Sequence, residues 1–129
     1  MADGSVKYDM PVSSKELEKI FAGCYDFEKR KLTVGGRGGV SVTLCFIDGL
    51  VSSEAVAREI IRPLTSDERF AGARNEPEII SLAMGGVVYG QTARRRDVLD
   101  DVINDLLNGF CAVIFEKEKS GVTFETRTG

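Results

Sequence analysis

The sequence of 129 residues contains no histidine. That absence removes Ser–His and Cys–His nucleophile pairs, imidazole proton shuttles and the usual zinc and iron ligand sets together. A metal site here has to be built from carboxylates or scattered thiols. Cysteine is scarce as well: Cys24, Cys45 and Cys111 are odd in number, far apart, and form no Cys-x-x-Cys pair. Cys45 and Cys111 lie inside apolar runs, so a disulfide framework is not expected, and buried, reduced thiols in a cytosol fit better. Long hydrophobic runs are missing too. The longest uncharged stretch, 79–93, is too short to span a bilayer and is broken by Gly85, Gly86 and Gly90. The N-terminus carries Asp3 and Asp9 and lacks the pattern of a signal peptide.

What is present describes one globular domain. Hydrophobic residues make up 43% and charged residues 29%, with a net charge of −3. A chain of this length buries about two-thirds of its unfolded surface without staples. The acidic balance does not suggest a nucleic-acid binder, which normally shows a basic face.

Residues 1–12 mix small, charged and turn-forming types without a period and are expected to form a flexible tail, leaving 13–129 as the folded domain. Ser13 caps a first helix whose apolar face is Leu17, Ile20, Phe21 and Cys24. Two strand-like runs, 27–34 and 40–47, flank Gly35, Gly36, Arg37, Gly38 and Gly39, a composition suited to a tight reversal. Asp48 and Gly49 end the second run. Ser52 or Ser53 caps a helix with a stripe of Val56, Ile60 and Ile61, and Arg62-Pro63 is expected to stop it. Thr65 to Glu68 suggest the cap of a short, mostly polar helical turn. Pro77 opens another helix, closed by Gly85-Gly86, and Val87, Val88 and Tyr89 suggest a short strand. The strongest periodicity, 95–108, predicts a helix with Asp97, Asp100, Asp101 and Asp105 on its wet side and Gly109 as its stop. A closing hairpin, 110–115 with 122–126, ends the chain. Helices alternating with hairpins predict an α/β layered domain with a mixed β-sheet.

Few of these residues carry chemistry. The aspartates at helical spacing form a solvated face, since no calcium-loop glycine pattern accompanies them. The glycines at 35–39 lack the Gly-Lys-Ser/Thr ending of a phosphate loop and precede a strand rather than a helix. Arg94, Arg95 and Arg96 form a basic run at a predicted helix start, where cations oppose the dipole. They are the candidate interaction patch, for an acidic partner or anionic headgroups. Replacing all three is expected to leave the fold almost unchanged. No catalytic, cofactor-binding or metal-ligating residues emerge, and no cofactor is implied.

The order of the motifs adds a family reading. An Asp26-Phe27 strand start is followed by Ile47-Asp48-Gly49-Leu50-Val51 and then Ile60-Ile61-Arg62-Pro63-Leu64. Later come Val98 to Leu107, with Gly109 ahead of an apolar strand, and a Thr126-Arg127 end. This succession resembles the soluble N-terminal region of bacterial spore germinant receptor A subunits, the GerA family. Family members often carry Asp-Gly at the turn of the last hairpin, where this chain has Lys117 to Gly121. The resemblance implies the first subdomain of an A subunit, with a second subdomain and transmembrane helices lying beyond it.

It also implies a nutrient-sensing complex of A, B and C subunits in the spore inner membrane, with A-subunit self-association and this domain on the spore-core side. There the domain is a non-enzymatic module for assembly and for signal transmission to ion release. It contacts no nucleic acid, and meets the membrane only through the missing C-terminal part. The alternative from composition alone is a free-standing small-molecule-binding α/β domain, with the glycine turns at 35–39 and 85–86 bordering its cleft.

Overall fold

The computed structural model describes residues 8–36, 38–88 and 92–126. Helix α1, Ser14–Ile20, starts where the Ser13 hydroxyl accepts the Glu16 N–H. It leads into a hairpin of β1, Phe27–Val34, and β2, Val40–Ile47, paired from Phe27 opposite Ile47 to Val34 opposite Val40. The reversal depends on glycine. At Gly35, φ is +85° and a Cβ would stand 2.7 Å from the Phe70 carbonyl oxygen. After the Asp48-Gly49 turn the helical segments α2, Ser53–Val56, and α3, Arg62–Ser66, follow, joined by a π-helical turn over Ala57–Ile61.

That π turn corrects the expectation that Arg62-Pro63 ends the helix. Proline has no N–H, and in a regular α-helix its ring collides with the carbonyl four residues back. Here the Arg62 N–H reaches the Ala57 carbonyl, five residues back, and the wider turn accommodates Pro63. The Thr65 hydroxyl donates to the Ile61 carbonyl over 2.8 Å, and the helix runs on to Ser66. Asp67 then caps the 3-10 turn Glu68–Phe70 as its spacing predicted. Helix α4, Glu76–Met84, is capped by Asn75 and stops at Gly85.

Three further corrections concern 87–108. Val87 and Val88 form no strand, and Tyr89 lies outside the described residues. The strand is β3, Ala93–Arg96, and it takes in Arg95 and Arg96, which the periodicity assigned to the helix. Helix α5 is Leu99–Leu107, because Val98 stays extended at φ −112°, ψ 132° and bridges to Pro11. Residues 8–12, assigned to the tail, are held: the Leu99 and Asp100 N–H groups donate to the Met10 and Tyr8 carbonyls, and Val12 is buried. Residues 1–7 lie outside the described residues.

Strands β4, Cys111–Phe115, and β5, Ser120–Phe124, complete a sheet of order β1-β2-β4-β5-β3. The layered α/β expectation holds, but the sheet is not mixed: each pairing of the named strands is antiparallel. Both of its faces are covered. Val42, Leu44 and Phe46, with Val113, Phe115, Val122 and Phe124, pack under the 53–66 helical run and α4. Cys45, Ile47, Ala112 and Ile114 pack against α1 and α5 through Leu17, Phe21, Leu99, Val102 and Leu106. Covering on both faces explains why β2 and β4 read as nearly continuous apolar runs. The edge strands carry cations, Lys29, Arg30 and Lys31 on β1 and the three arginines on β3, a charge pattern that discourages edge-to-edge aggregation.

The cysteines are free thiols, with Cys45 and Cys111 buried. Burial pushes the Cys45 thiol up to about 12 and raises that of Cys111 as well. Thiolate is the reactive form, so both are inert at neutral pH. A disulfide-forming aromatic reagent is expected to titrate only Cys24 in the native protein and all three thiols after denaturation, with the same melting temperature with and without reductant. Rapid native labelling of Cys45 or Cys111, or a large loss of stability on reduction, contradicts this reading.

Candidate functional site

The arginine run sits on β3, at the sheet edge, where pairing with β5 sets Arg94 opposite Thr123, Arg95 opposite Val122 and Arg96 opposite Gly121. Alternation along the strand sends neighbouring side chains to opposite faces, so the three arginines have different fates.

Arg96 turns toward α5. Its Nε donates to Asp105 Oδ2 over 2.8 Å and its terminal nitrogen to Oδ1 over 3.2 Å, a bidentate pair. The Thr123 hydroxyl donates to the same Oδ2 over 2.7 Å. Asp105 is only 6% exposed, which overturns its assignment to the wet side of the helix. Hydrogen bonding to Asp105 is the main cause holding the Arg96 guanidinium above its ordinary range.

Arg95 turns to the other side, where Nε meets Asp97 Oδ1 at 3.1 Å and a terminal nitrogen donates to Ser120 Oγ over 3.1 Å. Ser120 in turn donates to Asp97 Oδ1 over 2.5 Å. That bond first, and Arg95 second, lower the Asp97 carboxyl below the usual range. Arg94 lies 5.5 Å from the centre of the Phe110 ring and 3.8 Å from Glu125. The side chains of Arg94 and Arg95 are 47% and 42% exposed, against 27% for Arg96. Two of the three thus face solvent while the third ties β3 to α5, so replacing all three would also remove the partner of buried Asp105.

The second candidate feature is a crevice of about 550 Å³ where β2, the β4–β5 turn and the start of α4 meet. Gly39, Ser41, Arg74, Glu76, Lys117 and Glu118 are among its lining residues. Glu76 is buried and accepts the Glu118 N–H over 2.9 Å. Of the glycines at 35–39 and 85–86 expected to border a cleft, Gly39 lines this crevice and the others do not. Among the described residues no group of three acidic or thiol side chains is placed to hold a metal ion. No helix among them is long and apolar enough to cross a membrane.

Sequence reasoning missed Asp105 and Thr123 as partners of the arginine run. A signal existed for Asp105, which falls three residues after Val102 and next to Leu106, on the apolar face of α5.

Residues 15–129 match the family described as Bacillus/Clostridium GerA spore germination protein. The chain belongs to the GerA spore germination family. Its fold is similar to that of the N-terminal domain of the A subunit of the Bacillus megaterium spore germinant receptor GerK3, with a TM-score of 0.74 and 17% identity. The match covers 97% of this chain and 50% of that one, so this GerA-family chain spans about half the length of the solved domain. A comparison with curated proteins finds no match.

Proposed function

We propose that this chain is a non-catalytic regulatory and assembly domain of a nutrient-sensing spore germination receptor A subunit. It contributes to subunit assembly and to transmission of the signal that ends in ion release. The observation that carries the proposal is the family match over residues 15–129. The likeness in fold to an A-subunit N-terminal domain supports placing the chain in that part of the subunit. In this reading the partners are the B and C subunits and further A subunits. The full-length protein resides in the spore inner membrane, with this domain on the spore-core side.

Arg94 and Arg95 are the proposed contact residues, for an acidic neighbour or an anionic headgroup. Each is close to half exposed and held by surface pairs, which contribute at most about 1 kcal/mol. Arg96 belongs to the fold rather than the contact. In spores that depend on this receptor alone, Arg94→Ser combined with Arg95→Ser is expected to slow nutrient-triggered germination or lower receptor abundance. Immunoblots separate the two effects. Normal germination at a normal receptor level returns both arginines to the solvated surface, and unchanged germination after deletion of the whole gene overturns the receptor reading itself.

The crevice at Gly39 favours the second reading, small-molecule binding, because charged groups of both signs, Arg74, Lys117 and Glu76, converge there. It is tested on the isolated chain by ligand-induced shifts of the Gly39 and Lys117 amides.

A further inference from the structure

Three large apolar side chains stand in water at one end of the domain: Tyr25 at 101%, Leu50 at 54% and Leu107 at 55% of full exposure. Tyr25 and Leu50 come from the turns joining α1 to β1 and β2 to α2, and Leu107 is the last residue of α5, before the turn to β4. Backbone contacts draw those turns together. The Asp48 N–H donates to the carbonyl of Asp26, the neighbour of Tyr25, over 2.8 Å. Gly109, two residues after Leu107, packs so closely that a Cβ there would stand 3.0 Å from the Leu50 carbonyl oxygen and 3.7 Å from Leu50 Cβ. Single exposed apolar residues are ordinary. Three gathered from distant parts of the chain, beside exposed Asp26 and Asp48, mark a contact face.

The course of the chain indicates what covers this face. The Thr126 hydroxyl donates to the Gly109 carbonyl over 3.2 Å, so the last described residue lies at the same end. The solved germinant-receptor domain is about twice as long as the part of it matched here. A symmetric contact between two copies through this end would bring Asp26 and Asp48 of both copies into one interface, and that gathering of like charge opposes pairing.

We infer that the end formed by Tyr25, Leu50 and Leu107 is the docking face for the remainder of the soluble N-terminal region, in the longer subunit that the functional proposal assumes. Exposed apolar side chains beside polar ones are what a contact between domains of one chain buries.

The test uses the soluble region encoded by the whole gene, compared with the 129-residue chain by hydrogen exchange. Amides in 24–26, 48–50 and 107–109 are expected to exchange at least about tenfold more slowly in the longer protein. Leu50→Glu combined with Leu107→Glu is expected to restore fast exchange there and raise the radius of gyration measured by solution scattering. The same pair should leave the melting temperature of the 129-residue chain unchanged. Equal exchange in both proteins, or protection that survives the double variant, overturns the inference. So does a stop codon directly after Gly129, or concentration-dependent dimerisation of the 129-residue chain that the double variant abolishes. A receptor with no part in germination whose turns are nonetheless protected would defeat the functional proposal and leave the docking face standing.

Discussion

Ile60→Asp is expected to leave the domain unfolded at room temperature. Ile60 is fully buried between the 53–66 helical run and the sheet, in the cluster that holds Val56, Leu64, Phe46 and Phe70. The substitution removes a buried aliphatic side chain, which contributes about 1.5–3 kcal/mol, and puts a carboxylate into the apolar cluster. An unpaired buried charge costs several kcal/mol more, and the total rivals a domain's whole stability of about 5–15 kcal/mol. Ile61→Asp is expected to cost less, because Ile61 is only partly buried against the same cluster. Ile60→Val, which removes one methylene, should cost about 0.5–1.5 kcal/mol and keep the fold. Circular dichroism and urea titration of the three variants check the order. A folded Ile60→Asp protein, or Ile61→Asp as the more damaging of the pair, shows that the helix presents a different face to the core.

The second large effect is expected at Arg96. Arg96→Met leaves Asp105 buried with Thr123 as its remaining side-chain donor. Breaking a buried pair from one side costs about 3–5 kcal/mol, and the 27% exposure of the Arg96 side chain places this case at or below the low end. Adding Asp105→Leu is expected to recover much of the loss, since replacing both partners with apolar groups removes the stranded charge. Thermal melts of the single and double variants measure the coupling. A double variant no more stable than Arg96→Met alone would mean that the pair holds no stranded charge. Arg94→Ser and Arg95→Ser, by contrast, should each change stability by no more than about 1 kcal/mol.

Elements whose signal is local were legible in the sequence. The Ser13 cap, the β1–β2 hairpin, the Asp67 cap, the start of α4 at Pro77 and the β4–β5 hairpin all rest on turn chemistry and short-range periodicity, and all appear near their predicted positions. Misreadings arose where a distant segment decides. Pro63 signals a stop in any local account, yet a π turn takes it up and the helix continues, with Leu64 fully packed in the core. Arg94 to Arg96 look like the charged start of a helix. They form a strand because β5 offers a ladder and because Asp105 and Asp97 meet two of the guanidinium groups.

The sequence by itself determined the single small α/β domain, its family, the absence of histidine chemistry and the run of three arginines. Those follow from composition, order and spacing, which need no partner across space. Tertiary structure alone decided that each pairing of the named strands is antiparallel, that Asp105 is inside, and that the arginines divide into two for solvent and one for the fold. It alone decided, too, that Tyr25, Leu50 and Leu107 share one end. Each of these depends on which segments meet, and strand partners and buried ion pairs are chosen by the packing of residues far apart in the chain.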